Sequence, residues 1–285
     1  MTPPLGRRQP KALTCLVNQP GRCFVRRVPE SQSSPAIVLR WRSYGDSDKI
    51  ATLITAEFGK LTGIAKGAKN SRRRFANSLE PLARVRVHFR QRPGAGLAFL
   101  ESCELLAPTD AFSEPIRFAY GSYLAELTDR LTIEDDPAHD LYALLAEALA
   151  ELERGPATTA FLRAFELQLL IRAGFEPQLD ACARCQRTWA DGATAWLSTH
   201  HGTVACATCR RAEDATVEVA GALLARLDAL KAQPLAAARA MSLADLASDA
   251  AQLTGRLLAL HLARPLQSVK LIEQLAQRPA MSDER

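Results

Sequence analysis

The strongest constraint on the fold of this chain is a change in the spacing of its apolar residues near Pro108. Before Pro108, short runs rich in β-branched or alternating residues are separated by turn-forming stretches such as SYGDS and EFGK. After Pro108, apolar residues recur at helical spacing. The order of these patterns predicts an α+β protein in which strands precede helices. The five predicted strands are 36–41, 48–56, 61–68, 82–90 and 97–106.

Five strands within about 70 residues fit a small closed barrel, and the five-stranded OB-fold is the usual barrel of that size. The fourth run is the clearest, because Val85, Val87 and Phe89 alternate with cations and a histidine. A strand here would be apolar on one face and cationic on the other. We therefore predict an OB-fold domain over residues 35–108.

Turn and capping residues divide the second part of the chain into helices. Pro115 suits the first turn of one helix, and the Asp-Pro pair at 136–137 suits the start of another. A third helix is predicted from about Ala157 to Gly174. Helical spacing returns at 217–232 and 243–262, and Pro265 suits the start of a last helix. Residues 109–285 are thus predicted to be an all-α domain with an insert at about 178–212.

The first 34 residues have a different composition, with five prolines, several arginines and the polar stretch ESQSSP. This composition predicts a basic, disordered arm over residues 1–34. The short apolar run ALTCLV is too weak for a secretory signal, and no apolar stretch approaches the ~18 residues that a membrane helix needs. We therefore expect a cytosolic protein with no membrane partner.

Four of the seven cysteines form two CxxC pairs, CARC at 182–185 and CATC at 206–209. Each CxxC turn can present two thiolates to one metal ion, and two such turns complete the tetrahedron that Zn²⁺ adopts. Reduced thiols or a redox pair are the alternatives. We predict one structural zinc ion, and its four thiolate ligands would leave no open position for catalysis. The predicted ligands are Cys182, Cys185, Cys206 and Cys209.

The stretch between the two cysteine pairs predicts a β-hairpin. TAWLS and TVA flank the tripeptide HHG, which places Gly202 at the turn. His200 and His201 are then either turn residues or substitute metal ligands. We favour turn residues because four cysteines already complete the site.

Charge is divided unevenly along the chain. Residues 1–100 hold 19 Lys and Arg against 5 Asp and Glu, whereas residues 101–285 hold 17 against 26. From Lys60 to Arg92 there are ten cations and one acid, Glu80. A merely solvated face would carry mixed signs, so this clustering favours a polyanion as the partner.

The densest cluster is GIAKGAKNSRRRF, residues 63–75, on the connection between the third and fourth predicted strands. It is predicted to be a loop, with or without a short helix. The aromatic residues weighed for base stacking are Trp41, Phe58, Phe75 and Phe89, which are few for a stacking surface. Electrostatic contact with phosphates is therefore expected to dominate, with weak sequence preference and strong salt dependence.

Catalytic motifs are scarce. No GxxxxGK[ST] loop occurs, and no GxGxxG joins a strand to a helix. The acidic trio at 134–136 is predicted to start a helix rather than to form a nuclease metal site. No small-molecule substrate is indicated, and we expect a protein that binds rather than an enzyme.

Three stretches resemble the RecO family of bacterial recombination mediators, over roughly residues 36–275. The first is VLRWRSYGDSDKIATLITAEFGKLTGIAKGAKNSRRRFANSLEPL, with the family's G-x-A-K-G-A turn. The second is FLRAFELQLLIRAGFEP, which leads into the paired CxxC. The third is LLALHLARPLQSVKL, where Ala263 replaces the family's glycine before RPL. The arm lies outside the resemblance.

The resemblance implies that the barrel binds single- and double-stranded DNA, anneals complementary strands and, with RecR, helps load RecA onto SSB-coated DNA. It also implies a nucleoid-associated protein without a turnover site. The positions that match the family's basic segment are Lys66, Lys69, Arg72, Arg73 and Arg74. Lys60 is added to the predicted DNA-binding residues for its charge and position. The cationic face of the fourth strand adds Arg84, Arg86 and Arg90.

The family also contacts the acidic, phenylalanine-ended tail of SSB through its helical domain. Arg163, in LRAFEL, is the candidate anchor for the tail's terminal carboxylate. The alternative is that Arg163 pairs with an acid on a neighbouring helix. Two other functions stay open from the residues: an RNA-binding zinc protein with an OB-fold, and a zinc-dependent hydrolase acting on nucleic acid.

Overall fold

The computed structural model describes residues 30–92, 96–133, 139–190, 192–211, 213 and 215–276. The first part is a barrel of five strands, and the second is a set of helices interrupted by a small sheet. Among the described residues, no helix is long and apolar enough to span a bilayer. The predicted helix start at 136–137, the acidic trio and most of the predicted arm lie outside the described residues.

The barrel strands are β1 Gln32–Tyr44, β2 Asp48–Thr55, β3 Gly59–Ala65, β4 Arg84–Arg90 and β5 Ala98–Leu105. Their order is β1-β2-β3-β5-β4, and β4 pairs with β1 to close the barrel. Within the barrel, β3 and β5 pair in parallel and the other neighbouring strands pair antiparallel. The predicted five-stranded OB-fold barrel is confirmed. Strand β1 starts at Gln32, so residues 32–34 of the predicted arm belong to the barrel.

Alternation along the strands separates an interior from an outer wall. Val38, Leu53, Val87 and Leu100 are among the residues that fill the barrel interior, all fully shielded from solvent. Ile37, Leu39 and Ile54 point outward instead and join the core of the helical part. The two parts therefore share a continuous apolar core along one side of the barrel.

The helices are α1 Pro115–Leu131, α2 His139–Arg154, α3 Thr159–Arg172, α4 Gly221–Lys231, α5 Leu235–Ala240, α6 Ala247–Ala259 and α7 Gln267–Ala276. Helix α3 is central, with both aromatic rings, Phe161 and Phe165, inside the core. Thr158 caps its first turn by accepting a hydrogen bond from the backbone N–H of Phe161. Gly174, with φ 84°, ends the helix as predicted.

The small sheet contains β6 Thr194–Ser198, β7 Val204–Cys206 and β8 Thr216–Ala220, in the order β7-β6-β8. The hairpin β6–β7 turns at Gly202, with φ 66°, as predicted. The prediction of a helix over 217–232 is wrong at its start, because residues 217–220 belong to β8. The run TVEVA alternates β-branched residues and pairs with β6, and that pairing outweighs the helical spacing that begins at Leu223.

Candidate nucleic-acid interface and metal centre

The basic loop between β3 and β4 closes one end of the barrel. Phe75 and Leu79 insert into the barrel interior and are 3% and 1% exposed. The backbone N–H of Cys103, on β5, donates to the carbonyl of Arg74 at 2.8 Å. Because the apolar side chains of this loop point inward, Arg72, Arg73 and Arg74 are left on the outside.

The start of the basic loop is held by the turn between β1 and β2. A carboxylate oxygen of Asp48 accepts a hydrogen bond from the backbone N–H of Gly67 at 2.8 Å. Gly67 has φ 66°, a conformation that favours glycine. This hydrogen bond, and a second from Ser47, keep the pKa of the Asp48 carboxyl below its ordinary value. Asp48 therefore stays ionised and fixes the loop that carries the cations.

The cations of the basic loop differ in how freely they can contact phosphate. Lys69 donates to the carbonyl of Gly45 at 2.8 Å, and Arg74 donates to the carbonyl of Lys66 at 2.9 Å. Both bonds orient the side chains without neutralising their charge. The side chains of Lys66, Arg72 and Arg73 are exposed and form no hydrogen bond or ion pair with any described residue. This loop is the largest group of predicted DNA-contacting residues that the structure brings together.

Two of the predicted cations are engaged between the barrel and the helices instead. The Lys60 ammonium lies 2.7 Å from a carboxylate oxygen of Asp129, on α1, and is largely buried. The Arg84 guanidinium lies 2.6 Å from a carboxylate oxygen of Glu153, on α2. The outer wall at both positions faces helices, so we leave Lys60 and Arg84 out of the proposed DNA surface.

Asp129 joins two strands to helix α1. It pairs with Lys60 and also accepts from the Arg40 guanidinium at 2.7 Å. Burial acts to raise the pKa of the Asp129 carboxyl, but the hydrogen bonds from Lys60 and Arg40 outweigh burial and leave the pKa lowered. The pairing is therefore a charged interface between the barrel and the helical part.

The remaining two cations lie on the wall formed by β4. Arg86 is exposed and has no hydrogen bond or ion pair with a described residue. Arg90 forms an ion pair with Glu101, on β5, at 2.7 Å. The nine predicted cations are thus divided among the basic loop, the helix interface and the β4 wall.

Sequence reasoning missed several exposed residues of the barrel. Arg42 is exposed on β1 and Arg92 just beyond β4. Tyr44 and Phe99 are 52% and 38% exposed. The aromatic residues weighed from the sequence behave differently, because each of them packs into or against the barrel interior. Alternation alone could have found Phe99, since it lies between the interior residues Ala98 and Leu100.

The candidate metal centre is formed by two turns that meet across the small sheet. The sulfur atoms of Cys182, Cys185, Cys206 and Cys209 all lie within 4.8 Å of one another, and those of Cys185 and Cys206 are 3.7 Å apart. A tetrahedral zinc ion with Zn–S bonds of about 2.3 Å would separate its sulfurs by about 3.8 Å. The four cysteines therefore fit the predicted zinc ion.

Hydrogen bonds shift the pKa values of these thiols in opposite directions. The Thr208 hydroxyl, 3.1 Å from the Cys206 sulfur, and the backbone N–H of Cys209 lower the pKa of the Cys206 thiol to about 6. The Cys209 thiol, which hydrogen-bonds to the sulfurs of Cys185 and Cys206, has its pKa raised to about 12. Because a metal ion replaces thiol protons, binding to this site weakens at low pH. His200 and His201 lie in the hairpin turn, outside this group of ligands.

The candidate anchor Arg163 is buried and paired. It is 8% exposed, and its guanidinium bonds to Glu166, one turn further along α3. Glu166 also accepts a hydrogen bond from the Tyr123 hydroxyl at 2.6 Å. The acid paired with Arg163 therefore lies on the same helix rather than on a neighbouring one. This pairing leaves little free charge for a ligand carboxylate.

Comparison with known proteins found family models that match both parts of the chain. Residues 31–109 match the model "Recombination protein O N terminal", and residues 113–270 match "Recombination protein O C terminal". The chain is 37% identical over 241 residues to a "DNA repair protein RecO" of Anaeromyxobacter sp. (strain K), covering 84% of this chain and 94% of that protein. It is 36% identical over 247 residues to the protein of that name in Myxococcus xanthus, covering 86% and 98%. The chain belongs to the RecO family of DNA repair proteins.

Proposed function

We propose that this chain is a non-enzymatic mediator of DNA repair and recombination. It binds single- and double-stranded DNA, anneals complementary strands and, with RecR, helps load RecA onto SSB-coated DNA in the cytosol. The observation that carries this proposal is the exposed basic loop, in which the side chains of Lys66, Arg72 and Arg73 form no ion pair with a described residue. Membership of a DNA repair family supports the choice of DNA as the polyanion.

The proposed mechanism is electrostatic. Phosphates of two complementary strands repel each other as the strands meet. A cationic surface that neutralises several phosphates releases their counterions and lowers this barrier. Phe75 and Leu79, which insert into the barrel interior, hold the basic loop in a fixed place on the barrel. The loop therefore needs little further ordering when DNA binds.

The zinc ion has a structural role in this proposal. Four thiolates fill the tetrahedron, so the ion would join the two CxxC turns and leave no site for an activated water. The hairpin that leads into the second CxxC turn is attached to the helical core by Ala195, Leu197 and Val204. Neither the zinc site nor the basic loop supplies a reacting group, which supports a binding protein over the hydrolase alternative.

RecR and the C-terminal tail of SSB enter the proposal as partners from the family resemblance. The SSB contact remains assigned to the helical part of the chain. Arg163 remains the predicted anchor only if the tail displaces Glu166 from its guanidinium, because the two side chains neutralise each other. A tail that binds equally well to wild type and to Arg163→Ala would remove Arg163 from the proposal.

The salt dependence of DNA affinity tests the basic loop. Replacing both Arg72 and Arg73 with alanine should reduce the slope of log K against log salt by about 1.8 for duplex DNA and about 1.4 for single strands. Alanine at Arg226 and Arg264 is the matched control, because it removes two exposed cations from the helical part. An unchanged slope in the first variant would remove these two residues from the DNA surface.

Annealing of complementary oligonucleotides coated with SSB tests the mediator activity itself. The proposal expects the wild type to accelerate annealing, with the acceleration fading as salt rises. Failure on coated strands, despite tight binding to bare ones, would leave a general nucleic-acid binder. Competition between DNA and RNA oligonucleotides would then decide between the proposal and the RNA-binding alternative.

A further inference from the structure

The outer wall of the barrel carries a row of apolar side chains with a cation at each end. Register partners on adjacent strands share a face of the sheet. Across the wall, Ile50, which is only 4% exposed, lies beside Ile64, and Ile64 lies beside Phe99. Arg42 continues the row on β1, and Arg90 continues it on β4. The row is therefore cation, two aliphatic residues, phenylalanine and cation.

Two aromatic rings on this wall are open to solvent. Phe99 is 38% exposed although its neighbours along the strand, Ala98 and Leu100, are fully buried in the barrel interior. Tyr44, two residues beyond Arg42 on the same face of β1, is 52% exposed. Leu97, just before β5, is 45% exposed and extends the apolar surface. The barrel thus presents apolar and aromatic surface outside its core.

Positive charge borders this surface, although the ionised carboxylate of Asp48 lies close enough to Lys66 to interact with its charge. Arg42 and Lys66 are exposed, and neither side chain has a hydrogen bond or ion pair with a described residue. Lys66 follows β3 directly, and alternation from Ile64 places it on the outer wall at the start of the basic loop. A ligand that fits both features combines flat apolar groups with negative charge. Single-stranded DNA has this combination, because its bases expose their faces and its phosphates are anionic.

We propose that this wall is a stacking surface for the bases of single-stranded DNA. Phe99 is the central ring contact and Tyr44 the outer one, while Arg42 and Lys66 contact phosphates. This inference rests on the proposed function and assigns different DNA contacts to the basic loop and to the outer wall. The basic loop binds phosphates of single strands and duplexes alike, whereas Phe99 contacts only bases that are unpaired and unstacked.

The test measures the affinity of Phe99→Ala for single-stranded and duplex oligonucleotides of equal length. Base–aromatic stacking of the usual strength predicts a loss of about 5- to 150-fold for single strands, with duplex affinity unchanged. Phe175→Ala is the control, because Phe175 is similarly exposed, at 42%, but lies on the helical part. Equal single-strand affinity in Phe99→Ala and wild type would overturn the inference.

Abasic oligonucleotides separate base contact from phosphate contact. The wild type should bind a strand with abasic sites more weakly than an intact strand, and this difference should be smaller for Phe99→Ala, which keeps only Tyr44 for stacking. Should Phe99→Ala fold poorly, Phe99→Trp and Phe99→Leu give a second test. Tryptophan should match or exceed wild-type affinity, and leucine should fall below it. If the apolar wall instead binds a protein or a second copy of this chain, ring identity and base removal will have no effect on DNA affinity, and the proposal fails.

The outcomes also distinguish this inference from the proposed function. Wild type that binds neither single strands nor duplexes would end the proposed function and the inference with it. Salt-dependent binding that weakens in the Arg72 and Arg73 double variant but not in Phe99→Ala would preserve the proposed function and exclude the stacking surface.

Discussion

At the scale of single residues, Asp129 links the helical part of the chain to the barrel. Its carboxylate pairs with Lys60 and Arg40 from the barrel, and its side chain is 10% exposed. Loss of one partner from a buried ion pair is costly, because the other charge is left without compensation. We therefore expect Asp129 to contribute more to the free energy of unfolding than an exposed carboxylate would.

Replacing Asp129 with asparagine should lower the free energy of unfolding at pH 7 by about 3 kcal/mol, because Lys60 is left buried beside a neutral amide. Urea denaturation followed by far-UV circular dichroism would measure the change. Glu57→Gln is the control: it removes an exposed carboxylate and should change stability by less than about 0.5 kcal/mol. A change that small for Asp129→Asn would show that the interface does not depend on this ion pair.

The same residue predicts a pH dependence. The pKa of Asp129 is lower in the folded chain than in the unfolded one, so the folded state favours the ionised form. Its contribution to stability is full above the ordinary carboxyl pKa of about 4 and is lost as pH falls through the lowered, folded pKa. The stability difference between wild type and Asp129→Asn should therefore narrow below about pH 4. Paired urea titrations from pH 7 to pH 3 would measure it, and a constant difference would contradict the assignment.

At the scale of elements, the small sheet is expected to depend on the proposed zinc ion. Strand β7 has three residues, Val204–Cys206, and such a short strand contributes little stability by itself. A coloured chelator added after thiol modification should release one zinc ion per chain. Cys185→Ser should release less, and Cys103→Ala should still release one, because the Cys103 thiol is buried in the barrel.

Loss of the metal should have a local effect. Hydrogen exchange should accelerate over residues 182–209 in Cys185→Ser, because the two CxxC turns lose the ion that joins them. The barrel strands should keep their protection, and salt-dependent DNA binding should persist. Loss of DNA binding together with zinc would mean that the metal centre also supports the DNA surface.

At the scale of the whole molecule, one side of the outer wall of the barrel packs against the helices and shares a continuous core with them. Ile37, Leu39 and Ile54 are buried against helical residues rather than inside the barrel. Separation of the two parts would expose these side chains to water, which disfavours a state with one part folded and the other unfolded.

The barrel and the helices are therefore expected to unfold in a single transition. Replacing Trp189 and Trp196 with phenylalanine leaves Trp41, in the barrel, as the remaining one of the three tryptophans. Its fluorescence should report the same urea midpoint as the helical signal at 222 nm in circular dichroism. Two separate midpoints would show that the shared core does not couple the two parts.

The sequence by itself determined the features that depend on neighbours along the chain. Alternation in 82–90 identified a barrel strand, Pro115 and Gly174 marked helix ends, and two CxxC turns identified the candidate zinc ligands. Each of these signals is local, because backbone geometry and ligand spacing are set within a few residues. Residues 217–220, which the spacing assigned to a helix, form a strand because they pair with β6.

Only the tertiary structure decided which charges and rings are available to a ligand. Lys60 is 69 positions from Asp129, and no local pattern indicates that the two will meet. Folding brings acids from α1 and α2 onto one side of the barrel, where they neutralise Lys60 and Arg84. Alternation along β5 places Phe99 outside the barrel interior, but only packing decided that it stays 38% exposed, whereas Ile37 and Ile54 are covered by helical residues. Availability depends on what packs against a residue from distant parts of the chain, which periodicity does not encode.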